Sequence, residues 1–529
     1  MLRLNELKLK VEEDETNLKQ VIATKLKINP TDVLDYILVK RSLDARDNDQ
    51  LYYSYAVDVS VKNEAQVLKR HKNVQKSPKQ EYVYPPYGNQ VLEHPPVVIG
   101  FGPSGMFAAL LLSEMGLKPL IFERGSEVSK RMSDVKTFWE NRVLNPESNI
   151  QFGEGGAGTF SDGKLTTRVK DIRAHKVISE FIKAGAPTEI KHVHNPHIGT
   201  DILVDVVKNI RERIIELGGS IYFDHKLEEI IIENGQLTGI KVNGELIKTK
   251  DVVLSIGHSA RETFEMLYEK GVSLQQKALA IGVRIEHPQM LINKSQYGEK
   301  YMDYPRLGPA EYKLTHRASN SRSVYSFCMC PGGTVVAASS ELDTVVTNGM
   351  SEYLRDKENA NSALVCTIDE EDFGSTHPLA GIGYQRKLEK KAFELGGSNY
   401  DAPIQLVKDY LNNIPSTTLG NVLPSYPIGY KLSNLNELFS SEINEALREA
   451  IIELNHKLKG FSLEDAILTG IETRTSSPLR IIRDNETYES VNTLGLYPSG
   501  EGAGYAGGIM SAAIDGIKVA EKIVNKYKK

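Results

Sequence analysis

Cysteine is scarce, with three in 529 residues. That excludes a disulfide framework and fits a reducing, cytoplasmic setting. Long apolar runs are also missing. The greasiest stretch, around residues 96–116, is broken by Gly100, Gly102 and Pro103 and reads as strand, turn and helix, not as a membrane span. The first residues, Met1-Leu2-Arg3-Leu4-Asn5-Glu6, hold no apolar core of the signal-peptide kind. Charge of one sign is not in excess: a net charge of −5 gives no global attraction for nucleic acid or anionic membranes. Neither an internal repeat nor a low-complexity tract occurs. With 40% apolar residues the chain can build proper cores, and its length predicts two or three domains.

What is present is concentrated in a few glycine-rich strings. Val97-Val98-Ile99 runs into Gly100-Phe101-Gly102-Pro103-Ser104-Gly105, followed by a small-residue helix from Met106 to Met115 and a second apolar run, Leu120-Ile121-Phe122, ending at Glu123-Arg124. This is the layout of a dinucleotide-binding β-α-β unit. Gly100 allows the tight turn, Gly102 lets a diphosphate approach the backbone, and Gly105 lets the helix pack close to the sheet. Pro103 and Ser104 open the helix, whose free N–H groups and partial positive charge suit a diphosphate. Glu123 is placed to accept from a ribose hydroxyl, with Arg124 beside it. A second full G-x-G-x-x-G unit for NAD(P) is missing; Gly257-His258-Ser259-Ala260-Arg261 is a faint counterpart that reads better as the cap of the first unit.

Two further glycine-rich segments follow. Gln151 to Gly163 crowds Gly153, Gly155, Gly156, Ala157 and Gly158, which suits either close backbone approach to a cofactor or a surface loop; Asp162 and Lys164 add polar groups without an assigned role. Near the C-terminus, Gly500-Glu501 through Gly507-Gly508-Ile509 leads into a helix spanning Met510 to Ile523. A helix N-terminus there suits the edge of a flavin that gains negative charge on reduction.

The remainder sorts into blocks. Residues 1–76 read as a small α+β domain: Leu2, Leu4, Leu7 and Leu9 on a first strand, a helix over Glu15–Lys27, and strands over Leu34–Ser42 and Leu51–Val61, an order that allows a ferredoxin-like fold. Proline-rich residues 77–96 form a linker. Residues 97–275 and 461–529 make a discontinuous cofactor-binding domain, and residues 276–460 a mixed substrate or cap domain. The latter has strands over Ala278–Glu286, Val324–Met329 and Thr334–Ala338, and helices over Ile404–Asn412 and Glu442–Lys457.

Taken together, Gln151 to Leu165, Pro196 to Asp201, Phe327 to Gly333, Glu472 to Pro478 and Gly500 to Gly508 resemble a family of FAD-dependent dehydrogenases, sometimes labelled NAD-utilising dehydrogenases, within the glutathione-reductase-like superfamily. The resemblance implies bound FAD and leaves the substrate open. The wider superfamily usually carries aspartate where Glu501 stands, which unsettles the contact of that residue.

For the chemistry, Cys328 and Cys330 lie two apart on a strand and face one side. They are either a redox pair or two small buried hydrophobes, and a bridge between them would be strained. Arg474 and Thr475, just upstream of the C-terminal glycine loop, suit a substrate carboxylate or anionic flavin, or else a structural ion pair. Arg284 and His287 are weaker candidates. His192, His194 and His197 read as loop histidines, His197 having the best case for a role, and no metal site is expected. The expected fold class is α/β: a Rossmann-type FAD-binding domain interrupted by a mixed α+β substrate or cap domain and preceded by a small α+β domain. The expected function is an FAD-dependent oxidoreductase acting on a small molecule, with NAD(P)H as a transient co-substrate. Two other readings stay open: a flavin-dependent RNA-modifying enzyme using residues 1–75, against which the acidic balance counts, and a non-catalytic FAD-containing scaffold or sensor.

Overall fold

A computed structural model describes residues 1–78, 81–166 and 170–529. The chain is a mixed α/β protein, and among the described residues no helix is long and apolar enough to cross a membrane.

The sheet that positions the site is wholly parallel and has five strands. Leu496–Pro498, Val252–Leu254, Val97–Ile99, Leu120–Phe122 and Ser220–Tyr222 lie side by side in that order. The short apolar runs Val97–Ile99 and Val252–Leu254, buried throughout, are those of strands covered on both faces, whereas Ser220–Tyr222 at the edge leaves Tyr222 exposed. Pro at the first helical position starts helix Pro103–Glu114 straight after the central strand. That helix is apolar on every side, because helices Ile509–Val524 and Thr200–Glu216 and the sheet all pack on it. Gly516 makes the closest crossing possible: a Cβ there would stand 2.0 Å from the Ser104 carbonyl oxygen. An antiparallel meander, Leu227–Glu233, Gln236–Val242 and Glu245–Lys248, branches from one side.

A second, seven-stranded sheet runs in the order Thr315–Arg317, Ser323–Cys330, Asn359–Ile368, Leu279–Pro288, Ile467–Glu472, Ala402–Leu406, Tyr430–Leu432. Here the helix expected over Ile404–Asn412 is corrected. Ala402–Leu406 is a strand with all five residues buried, and only Val407–Leu411 is helical. A strand buried on both faces has no alternation to read, so its apolar run passes for helix.

Residues 1–76 fold as β-α-β-β-α-β, with an antiparallel sheet in the order Val33–Asp44, Tyr52–Val61, Leu2–Lys10, Gln75–Lys76 and helices Leu18–Leu26 and Glu64–Arg70. The alternation of Leu2 and Leu4 changes phase before Leu7 and Leu9. A bulge between Leu4 and Leu7, with Glu6 at φ +58°, absorbs the extra residue and buries all four leucines. The proline-rich segment (its residues 79 and 80 lie outside those described) docks on the end of the C-terminal helix, where the Gly88 N–H donates to the Tyr527 carbonyl at 2.9 Å.

Candidate functional site

The carboxyl ends of the parallel strands open into a cavity of about 1030 Å³. This is where ligands bind in open α/β sheets, and the volume is at the upper end of the range for small-molecule pockets, roughly 300–1,000 Å³. Gly100, Gly102, Pro103, Ser104, Glu123, Arg124, Gly156 and Gly158 line it together with Gly257, Glu501, Gly507, Gly508 and Ile509, Gly158 lying against Ile509 and Pro103; Cys328, Arg474 and Thr475 complete the far end. Four residues expected at the site do not line it. Gly105 is taken up by the helix–turn contact, since a Cβ would lie 1.9 Å from the Gly100 carbonyl oxygen. Gly155 packs on Thr159 and Gly500 on Ser104, both at positive φ. Cys330 is fully buried behind Cys328.

The loop from Asn149 to Gly163 is held by two buried charges. The Glu123 carboxylate accepts from the backbone N–H of Phe101 at 2.7 Å and from those of Gly125 and Gly153, both at 2.9 Å. Of roughly four lone-pair sites, one is left for a ribose hydroxyl, so the residue joins the fingerprint turn to the loop as well as facing the ligand. Arg131, fully buried, donates to the carbonyls of Asn149, Ile150, Glu154 and Gly156 at 2.7–2.9 Å. Arg124 lies 3.8 Å over the Phe152 ring and pairs with Glu147 and Glu262. Exchanging Glu123 for arginine leaves the N–H groups of Phe101, Gly125 and Gly153 without their acceptor, at about 1–3 kcal/mol each before the loop relaxes, so the thermal midpoint should fall by several degrees. An unchanged midpoint would contradict this placement.

At the far end the chemistry is densest. Cys328 is half-buried on the cavity wall, beside Glu472. Burial pushes the Glu472 carboxyl up to about 7 against the pull of Arg284. Arg284 is fully buried; its Nη1 stands 3.6 Å from the Glu472 carboxylate, and its Nη2 donates to the Cys328 carbonyl at 2.5 Å. Burial also raises Glu501 to about 7, with Lys277 opposing. Glu472 had no assigned role in the sequence, although its signal was there: it directly follows Ile467 to Ile471 and opens the string Glu472 to Pro478.

Of the two readings of Arg474, a ligand contact or a structural ion pair, its hydrogen bonds match the ion pair. Its Nε and Nη2 donate to Glu389 at 3.1 and 3.0 Å, and its Nη1 to the hydroxyls of Ser259 and Ser340 at 3.0 and 2.5 Å. The guanidinium is thus committed to the protein. Thr475 likewise gives its hydroxyl hydrogen to the Ala280 carbonyl at 2.7 Å. His287 is buried away from the site and bonded to the Phe461 carbonyl at 2.8 Å. His197 stacks on Tyr353 and bonds its carbonyl at 3.0 Å. Asp162 pairs with Lys164 and, bidentately, with Arg355, which ties the glycine loop to the neighbouring segment.

Residues 278–475 match a family model described as FAD-dependent protein, C-terminal domain-like, and residues 1–60 match a domain model of unknown function. A protein of Clostridium beijerinckii, described as uncharacterised, is 51% identical over 529 residues, covering 99% of each chain. Among solved structures, the chain aligns with CtdE in complex with FAD at 14% identity, covering 82% of this chain and 84% of that one with a TM-score of 0.31. It also aligns with L-proline dehydrogenase from P. horikoshii at 15% identity, covering 84% and 95% with a TM-score of 0.34.

Proposed function

Because the chain belongs to the family of the Clostridium beijerinckii protein and carries an FAD-dependent C-terminal domain, we propose that it is an FAD-dependent oxidoreductase. In this reading a Rossmann-type domain formed by residues 97–275 and 461–529 holds the dinucleotide. Residues 276–460 supply the substrate side, and residues 1–76 form a ferredoxin-like accessory domain. A hydride or electron pair passes between a small organic substrate and FAD in the cytoplasm, with NAD(P)H as co-substrate.

One observation carries the reading. The fingerprint turn at Gly100–Gly105 and the helix N-terminus at Gly507–Ile509, at opposite ends of the cofactor-binding sequence, open on one cavity. The residues fit the group. A Cβ built at Gly257, Gly507 or Gly508 meets nothing within 4 Å, so backbone is bared toward open space. Arg124 Nη1 is buried without a hydrogen-bond partner among the described residues. The N–H groups of Gly102 and Ser104 at the turn and helix start would hold the diphosphate, Glu123 the ribose, and the N-terminus of helix Ile509–Val524 the flavin edge. Bound FAD supplies a two-electron acceptor or donor. Glu472, poised near neutrality beside Cys328, holds or yields a proton at its carboxylate, and Glu501 can do the same nearer the helix N-terminus.

The purified protein should be yellow, with about one flavin per chain, and the colour should bleach on anaerobic addition of NADH or NADPH. Added FAD at about 100 times its Kd should stabilise apoprotein by about 2.7 kcal/mol. A colourless protein whose melting temperature ignores FAD would overturn the proposal.

A further inference from the structure

Residues 1–76 contribute no lining to the cavity, so the reaction site does not explain why this domain is there. Its charges are sorted by end. Lys10, Asp44 and Tyr52 meet at one end of the sheet. There the acidic turns 12–15 and 44–49 adjoin the segment 298–306: the Tyr301 hydroxyl donates to Glu12 at 2.5 Å, and Arg306 donates to the Glu13 carbonyl at 2.9 Å. At the other end His71 donates through Nε2 to the Leu26 carbonyl at 2.9 Å, which joins the carboxyl ends of helices Leu18–Leu26 and Glu64–Arg70. Lys25, Lys27, Lys69, Arg70 and Lys72 all lie within two residues of that bond, and all five are exposed. Among the described residues none of them has an acid partner. The nearest acids in sequence, Asp32 and Glu64, are taken by Lys62 at 2.9 Å and by the N-terminal amine at 3.1 Å. One cation near each carboxyl end would offset the helix dipole. Five exceed that need and repel one another, which leaves a positive patch without counter-charge in an otherwise acidic chain.

We propose that this end of the N-terminal domain is a docking surface for the phosphate backbone of a folded RNA. Charge complementarity makes the partner a polyanion. A lipid surface does not fit, because no large apolar side chain is exposed over residues 18–29 or 62–76, and a helix that enters a lipid interface needs an apolar face. A reader of DNA lays one helix face along base edges in the major groove. Here the cations stand at helix ends and in the turns beyond them, a placement that suits backbone phosphates and not base edges. Folded RNA is bound in that way, through shape and phosphate contacts. Lysine and arginine neutralise phosphates one for one and release their counterions, so the patch gives binding with a steep dependence on salt.

The test uses full-length protein as purified, with an unmodified tRNA transcript as probe. Wild type should retain the transcript at about 50 mM salt, and the affinity should fall about 100–500-fold by about 200 mM, the slope for five neutralised phosphates. Lys25→Gln, Lys69→Gln and Arg70→Gln combined in one chain should lower the slope of log Kd against log salt by about 2–3, at the thermal midpoint and flavin content of wild type. Lys62→Gln removes a cation that is already paired and should leave the slope as it is. A DNA duplex and phosphatidylglycerol vesicles should bind more weakly than the transcript at every salt concentration. No retention of the transcript, an unaltered slope in the combined variant, or tighter binding to duplex or vesicles would overturn the proposal. The patch shares no residue with the cavity, so the result is independent of whether the protein holds FAD.

Discussion

Replacing Glu389 with alanine should cost about 3–5 kcal/mol of stability, the penalty for breaking a buried charge cluster by removing one partner. Glu389 sits on helix Ala380–Leu395 with no exposed surface. Its carboxylate accepts from Arg261 at 2.7 and 2.9 Å, from Arg474 at 3.0 and 3.1 Å, and from the Thr473 hydroxyl at 2.7 Å. Arg261 begins helix Arg261–Glu269 and Arg474 follows strand Ile467–Glu472, so one carboxylate joins three elements. Without it, two buried guanidinium groups face each other with no shared counter-charge. Glu389→Gln, which keeps the shape and one acceptor, should lose less. The two arginines hold the Glu389 carboxyl well below the usual carboxylate range despite burial. Its contribution is therefore present above the ordinary carboxylate pKa and lost only as pH falls through the depressed value. The gap in thermal midpoint between wild type and Glu389→Gln should accordingly be the same at pH 5 and pH 8. A gap already closed at pH 5 would show that the cluster is not charged as described.

Arg131→Met should empty the nucleotide site. The substitution strands four backbone carbonyls that now share one guanidinium, at about 1.5–3 kcal/mol for each hydrogen bond to a charged group before the loop relaxes. The loop keeps the Glu123 contact at Gly153, the bonds of the Glu154 and Gly155 N–H groups to the Ser126 and Phe101 carbonyls, and the Asp162–Arg355 pair, but it loses the one group that gathers four of its carbonyls, and flavin content should fall sharply. Limited proteolysis should cut first between residues 149 and 163. Arg131→Lys keeps a charge but cannot reach four carbonyls at once, so it should rescue the fold partly and flavin retention little. Full flavin content in Arg131→Met would show that the loop is not part of the site.

Much of the nucleotide end was legible because it is written locally. Gly100, Gly102, Pro103 and Ser104 lie within one turn, and the strand, turn and helix that this spacing predicts are the ones that form. The far end is not local. Glu472 and Arg284 meet Cys328 only because strands distant in sequence become neighbours in the seven-stranded sheet, and no spacing rule reports that pairing. Arg131 was invisible for the same reason. A helical arginine reads as solvated surface until the loop that wraps it is in place. Arg474 shows the converse: its proximity to the C-terminal glycine loop suggested a ligand contact, but Glu389, from another part of the chain, takes its donors. The dinucleotide fingerprint could be read from sequence, whereas the partners of single charged side chains depended on topology.

The five-stranded sheet also sets a schedule. Val97–Ile99 and Val252–Leu254 pair early, but Leu496–Pro498, which completes the row, lies roughly 400 residues after the first strand. At about 5–20 residues per second of synthesis, that separation is tens of seconds. During this interval the emerging chain has a fingerprint turn without the C-terminal glycine segment, and an apolar helix Pro103–Glu114 without Ile509–Val524 to cover it. A cavity built from both segments is complete only once Leu496–Pro498 and that helix have emerged, and chains released before then should be recognised by exposed apolar surface and not by weak flavin binding.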